Sequence, residues 1–108
     1  MTALKDLHCH PLEGEPALTP SEIEQALTRV SGWTLSDGAI EKTFGFDDYH
    51  RTMAFVNALA WIAHAQDHHP DLAVSYNRCT VRLNTHSVGG ISINDFICAA
   101  RFDALLAP

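Results

Sequence analysis

The step that most restricts this chain is Asp37-Gly38, set between two short runs of alternating apolar residues. A two-residue hairpin turn demands left-handed backbone, which aspartate tolerates and glycine adopts freely. The pair therefore predicts an antiparallel hairpin with arms Trp33 to Ser36 and Ala39 to Phe46. Trp33 and Leu35 on one arm, and Ile40, Phe44 and Phe46 on the other, are its expected buried face. A lone hairpin is marginal in water and needs more strands or a helix to cover that face.

The flanking sequence supplies both. Thr19-Pro20-Ser21-Glu22 has the form of a capping box with proline at the first helical position. Ile23, Ala26, Leu27 and Val30 follow on one helical face, up to Gly32. After the hairpin, Asp47 or Asp48 caps a helix expected to run to about Gln66, with Met53, Val56, Leu59, Ala60 and Ala63 as its apolar stripe. Pro70 ends the helical possibility. Leu72, Val74 and Tyr76 alternate as a third strand, and Cys79, Val81 and Leu83 as a fourth. Beyond the Gly89-Gly90 loop, Ser92-x-x-Asp95 looks like a second capping box, opening a helix with Ile93, Phe96, Ile97 and Ala100 on its apolar side. The order αββαββα predicts an α+β fold, a four-stranded, mainly antiparallel sheet with helices on one face. Residues 1–18, with Pro11, Gly14 and Pro16 and no apolar period, are expected as a flexible or loosely docked tail before one domain over 19–108.

Composition narrows the function. Seven Lys and Arg against 13 Asp and Glu give a net charge of −6. That argues against nucleic acid or an anionic membrane as partner, since both need clustered positive charge. No apolar run approaches the roughly 20 residues of a membrane span, and the N-terminus has no apolar signal core. Cys9, Cys79 and Cys98 are an odd set without a CxxC pair, which reads as free thiols in a reducing cytoplasm. A domain of this size buries a modest core, so self-association is open, with Met53, Ala60 and Trp61 as surplus apolar residues on the long helix.

Histidine stands out, with seven copies, four of them (His50, His64, His68 and His69) within twenty positions. Two chemistries compete. His64 and His68 are spaced to share a helical face, which suits zinc, but Ala65 stands where an HExxH protease has its glutamate. A third ligand would have to be His69, Asp71 or His86. The alternative is metal-free proton transfer, for which an imidazole near its ordinary pKa of about 6.5 is suited. The break at Pro70 would let His68 and His69 face one pocket, and His86 would reach it from the end of its strand. Solvated surface histidines are the plain reading, weakened by their positions at element ends beside loops, where sites concentrate. Asp95 has a local role as a capping residue and a second as a group that orients a histidine. Tyr76 and Pro70 read structurally as an edge aromatic of the core and a helix terminator. Cys9 with His8 and His10 would bind metal only adventitiously.

The pattern His64-x3-His68-His69-Pro70, Tyr76, His86 and Asp95 resembles the signature of the pterin-4a-carbinolamine dehydratases. Phe44-x-Phe46, Ala54-Phe55-Val56-Asn57 and Thr85-His86 before Gly89-Gly90 extend the resemblance over about Leu18 to Leu106. It implies dehydration of 4a-hydroxytetrahydrobiopterin, or a related tetrahydropterin released by an aromatic amino acid hydroxylase, to quinonoid dihydropterin. No metal or organic cofactor is implied. By motif position, His68, His69 and His86 are the expected catalytic set, with His68 and His86 as acid and base and His69 holding the ring. His64, Pro70, Tyr76 and Asp95 are the expected substrate-binding positions. Two positions depart from the family: His64 stands where a glutamate is common, and Ser87 where an acidic residue is frequent. Dimers pairing into tetramers are also implied. Relatives acting as dimerisation cofactors or assembly factors supply a non-catalytic alternative.

Overall fold

The structure, a computed structural model, describes residues 2–107; Met1 and Pro108, the outer ends of the expected tail and domain, lie outside the described residues. Helix α1 (Pro20–Leu27) begins with both halves of the capping box in place, Thr19 accepting from the Glu22 N–H and Glu22 accepting from the Thr19 N–H. Its chain leaves through a turn that buries Val30 and passes Gly32 at φ +86°, where an added Cβ would lie 3.0 Å from the Lys42 side chain. The hairpin of β1 (Thr34–Ser36) and β2 (Ala39–Gly45) turns through Asp37 and Gly38, both at positive φ, as the two-residue turn requires. Strands β3 (Asp71–Val74) and β4 (Arg78–Leu83) complete an antiparallel sheet in the order β1-β2-β4-β3.

The sheet's inner face carries Ile40 and Phe44 opposite Leu83 and Cys79, with Val81 between, all buried. Helices α2 (Tyr49–Gln66) and α3 (Ile93–Ala104) cover it, and α3 is the more deeply set. Phe96 and Phe102 of α3 are wholly buried, so either one cut to alanine would cost about 3–5 kcal/mol. Lys42 is on this face too, and its ammonium reaches Asp103 of α3 at 2.9 Å, where the Trp33 indole N–H also donates.

Four expectations are corrected. Leu35 is half exposed, because its strand is three residues long at the sheet edge beside the turn. The buried ridge of α2 is Thr52, Phe55, Leu59 and Ala63; Met53 and Val56 are half-buried and Ala60 is exposed. Thr52 can be buried because its hydroxyl is shared between the Asp48 and Tyr76 carbonyls. Tyr76 lies beyond β3 and is exposed, its ring stacked near Tyr49 at a centroid distance of 6.3 Å. The segment before α1 is docked: Leu4 and Leu12 are buried, and Cys9 is half-buried against α3.

Candidate active site

Helix α2 ends before Pro70 has any say. Asp67 takes left-handed backbone (φ 50°, ψ 44°), and the His68 N–H reaches back to the Ala63 carbonyl at 3.0 Å. This is a Schellman-type stop with aspartate in the glycine position. It swings His68 out of the helix, so His68 and His64 no longer share a helical face. His64 is exposed on the last turn of α2.

His68 turns toward the start of α3. Its Nε2 lies 2.6 Å from Asp95 Oδ1, with Asp95 fully buried and the His68 side chain nearly so. The other carboxylate oxygen, Oδ2, accepts from the Ser92 N–H and the Thr85 hydroxyl, each at 2.9 Å. A threonine hydroxyl has one proton to give. Since Thr85 gives it to Asp95, the 2.6 Å contact between Thr85 Oγ1 and Ser92 Oγ has serine as donor. Serine in turn accepts from the Asn94 N–H. The donations thus run from Asn94 to Ser92, from Ser92 to Thr85 and from Thr85 to Asp95 Oδ2, and Oδ1 has His68 as its partner. Thr85 is placed for this by its pairing with Gly90, which closes the His86–Val88 turn between β4 and α3.

The carboxylate fixes Nε2 as the protonated nitrogen and leaves Nδ1 as the nitrogen free to exchange a proton. Burial disfavours the imidazolium, but the Asp95 hydrogen bond and charge, with smaller contributions from Cys9 and Asp67, outweigh it. The pKa of His68 is raised above its ordinary value. A cleft of about 390 Å3 opens beside it, walled by Cys9 to Glu13 of the N-terminal segment, Gln66, Thr85, Ser87 and Asn94. That volume suits a small-molecule site, typically about 300–1,000 Å3. A larger hollow of about 560 Å3 lies between residues 3–5, Arg29 and the end of α3, but no histidine or cysteine lines it.

The remaining positions spread out from this pair. Pro70 is half-buried and His69 exposed, both next to His68 in the chain. His86 is exposed and lines a separate hollow on the other side of Thr85, with Asn84 and Gly89. Tyr76 sits against the first turn of α2, and 18 helical residues at about 1.5 Å each put roughly 27 Å between that turn and the His68 end. The sequence pattern alone does not mark Thr85, Ser92 and Asn94 for the site. The signal that finds them is the capping box itself, whose aspartate has one oxygen more than the cap uses.

The sequence profile of the pterin 4 alpha carbinolamine dehydratase family matches residues 16–105. The chain belongs to that family. A Paracidovorax citrulli relative is 58% identical over 111 residues, covering 99% of this chain and 93% of its own. A Nitrosomonas eutropha relative is 52% identical over 105 residues, covering 95% and 93%. Both are named provisionally as pterin-4-alpha-carbinolamine dehydratases. Among solved structures, a Brucella melitensis protein described as a transcriptional coactivator/pterin dehydratase superposes with a TM-score of 0.81 at 35% identity, over 84% of this chain and 99% of that one. A pterin dehydratase-like protein identified as a RuBisCO assembly factor in the alpha-carboxysome gives 0.57 at 27% identity, over 68% and 84%. The dehydratase family fold and the αββαββα order expected above agree. Among the described residues, no helix is long and apolar enough to cross a membrane.

Proposed function

We propose that the chain is a dehydratase of 4a-hydroxytetrahydropterins, with 4a-hydroxytetrahydrobiopterin as the substrate and quinonoid dihydropterin and water as products. The observation that carries this reading is the His68–Asp95 pair at the edge of the cleft. The reaction breaks the C4a–O bond, sends the hydroxyl out as water, and removes the proton from N5. One proton in and one proton out is general acid–base work for groups with pKa values near neutrality. A histidine whose proton is held more tightly by a buried carboxylate suits the acid, protonating the leaving hydroxyl from Nδ1 while Asp95 steadies the ring. His86, in the neighbouring hollow that shares Thr85 with the cleft, serves as base at N5 from a substrate that reaches across Thr85, and His69 holds the pterin. His64 and Pro70, close to His68 in sequence, are carried as substrate-binding positions, and Asp95 acts through His68. Tyr76 is left out, because it sits at the other end of α2. No metal or organic cofactor takes part.

The same reading places the enzyme in the cytoplasm, where its three free thiols suit a reducing environment, and in dimers that pair into tetramers. Trp61, 75% exposed on α2, supports an interface there. The two structural neighbours, a coactivator/dehydratase and an assembly factor, favour a second reading, a binding or assembly role on the same fold. Turnover of a 4a-hydroxytetrahydropterin, measured before and after exhaustive chelation, separates them. Activity that survives chelation is expected. Absence of turnover in folded protein would favour the binding role, and activity lost to chelator and restored by zinc would make it a metalloenzyme.

A further inference from the structure

Two thiols meet where the N-terminal segment crosses α3. Cys9 Sγ lies 3.6 Å from Cys98 Sγ, across 89 positions of sequence. Cys98 is fully buried and Cys9 half-buried, lining the His68 cleft. The contact is built rather than incidental. The Cys9 N–H donates to Gln66 Oε1 at 2.8 Å, and the Asn94 carboxamide takes both backbone groups of His10, accepting at 3.3 Å and donating at 2.8 Å. On the other side of Cys9, the Arg101 guanidinium donates to the Leu7 carbonyl. Leu7, Cys9 and His10 are thus each fastened to α2 or α3.

The two sulfurs are unlike. The hydrogen bond from Cys98, with the positive charges of His68 and Arg101, outweighs burial and lowers the pKa of the Cys9 thiol. The same hydrogen bond and burial push Cys98 far up, so it keeps its proton and donates it. A thiol that lines a cleft, 3.6 Å from a second thiol buried behind it, is the arrangement of an attacking and a resolving cysteine.

We propose that Cys9 and Cys98 are a reversible oxidation site, which a peroxide closes to a disulfide that fastens the N-terminal segment onto α3 beside the His68 cleft. The Cys9 thiolate attacks one oxygen of hydrogen peroxide, forming S–O as O–O breaks. The departing hydroxide takes up a proton and leaves as water. Cys98 sulfur then attacks the sulfenic sulfur, S–S forms, S–O breaks, and the second hydroxide leaves as water with the Cys98 proton. Two electrons pass from the thiols to the peroxide, and a thiol reductant reopens the bond by exchange. Cys79, buried in β4 with its thiol pKa raised by burial, is the internal reference that stays reduced.

The test is peptide mapping of folded, reduced wild-type protein after stoichiometric hydrogen peroxide. The expected product is an intramolecular link between the Cys9 and Cys98 peptides, with Cys79 free. A link closing so long a loop is expected to raise Tm by about 10 °C, reversed by dithiothreitol. In Cys98→Ser, dimedone should trap sulfenic acid at Cys9; in Cys9→Ser, Cys98 should react at least tenfold more slowly than Cys9 does in wild type. A Cys9–Cys9 link between chains, overoxidation of Cys9 with Cys98 left free, or equal reactivity of all three thiols would overturn the proposal. None of these readouts depends on dehydratase turnover.

Discussion

Helices α1 and α3 open with the same device and put it to different use. At α1, Thr19 and Glu22 exchange side-chain and backbone hydrogen bonds on the exposed surface, and the glutamate has no further partner among the described residues. At α3, Ser92 and Asp95 make the equivalent box in a buried setting. There the aspartate spends one oxygen on the cap and on Thr85, and turns the other to His68. Burial and the shorter side chain make the difference. Glutamate reaching back from an exposed turn faces solvent, whereas Asp95 is fully buried and meets three protein donors. The capping and orienting roles weighed for Asp95 are therefore one arrangement, divided between two oxygens.

The largest expected contrast between the boxes is in turnover. His68→Ala should lower kcat by about 10²–10⁴-fold, the usual contribution of a general acid or base. Asp95→Asn should lower it by at least about 10²-fold, since the amide carries no charge and turns an N–H2 toward a donor. Glu22→Gln should leave kcat unchanged. Steady-state kinetics on the three variants checks this, and equal losses at Glu22 and Asp95 would break the comparison.

Stability should show the next largest contrast. Asp95→Ala strands the Thr85 hydroxyl, the Ser92 N–H and the His68 ring, and should cost about 2–4 kcal/mol. Glu22→Ala breaks one exposed capping bond and should cost less than about 1 kcal/mol. Denaturant unfolding measures both.

The smallest effect is a pH dependence. His68 binds its proton more tightly folded than unfolded, so the group adds stability that is fully present below the unfolded value of about 6.5. That contribution is lost as pH rises through the raised folded value. Unfolding curves of wild type and His68→Gln should therefore converge with rising pH across that window.

What the sequence disclosed follows from range. Both capping boxes, the Asp37-Gly38 turn and the end of α2 near Gln66 rest on contacts within a few residues, and all are found in the structure. Residues 1–18 carry no period, because their burial depends on partners far along the chain: Gln66, Asn94, Cys98 and Arg101. The ridge of α2 departs from the apolar stripe because a threonine with a satisfied hydroxyl packs as well as a methionine at the next position. Tyr76 continued an alternation that the backbone abandons at Ser75, where the turn into β4 begins. His68 and Asp95 were both named from the motif, but the Thr85 link between them depends on a loop closing on Gly90, which no local pattern announces.

The central claim is that a buried carboxylate raises the proton affinity of His68 and fixes its ring orientation. An NMR titration of the His68 imidazole in wild type and in Asp95→Asn tests it most directly. The account predicts that wild-type His68 titrates above the ordinary histidine value of about 6.5, with Nε2 protonated throughout, and that Asp95→Asn drops it below that value. A wild-type value at or below 6.5, or one that Asp95→Asn leaves in place, would contradict it.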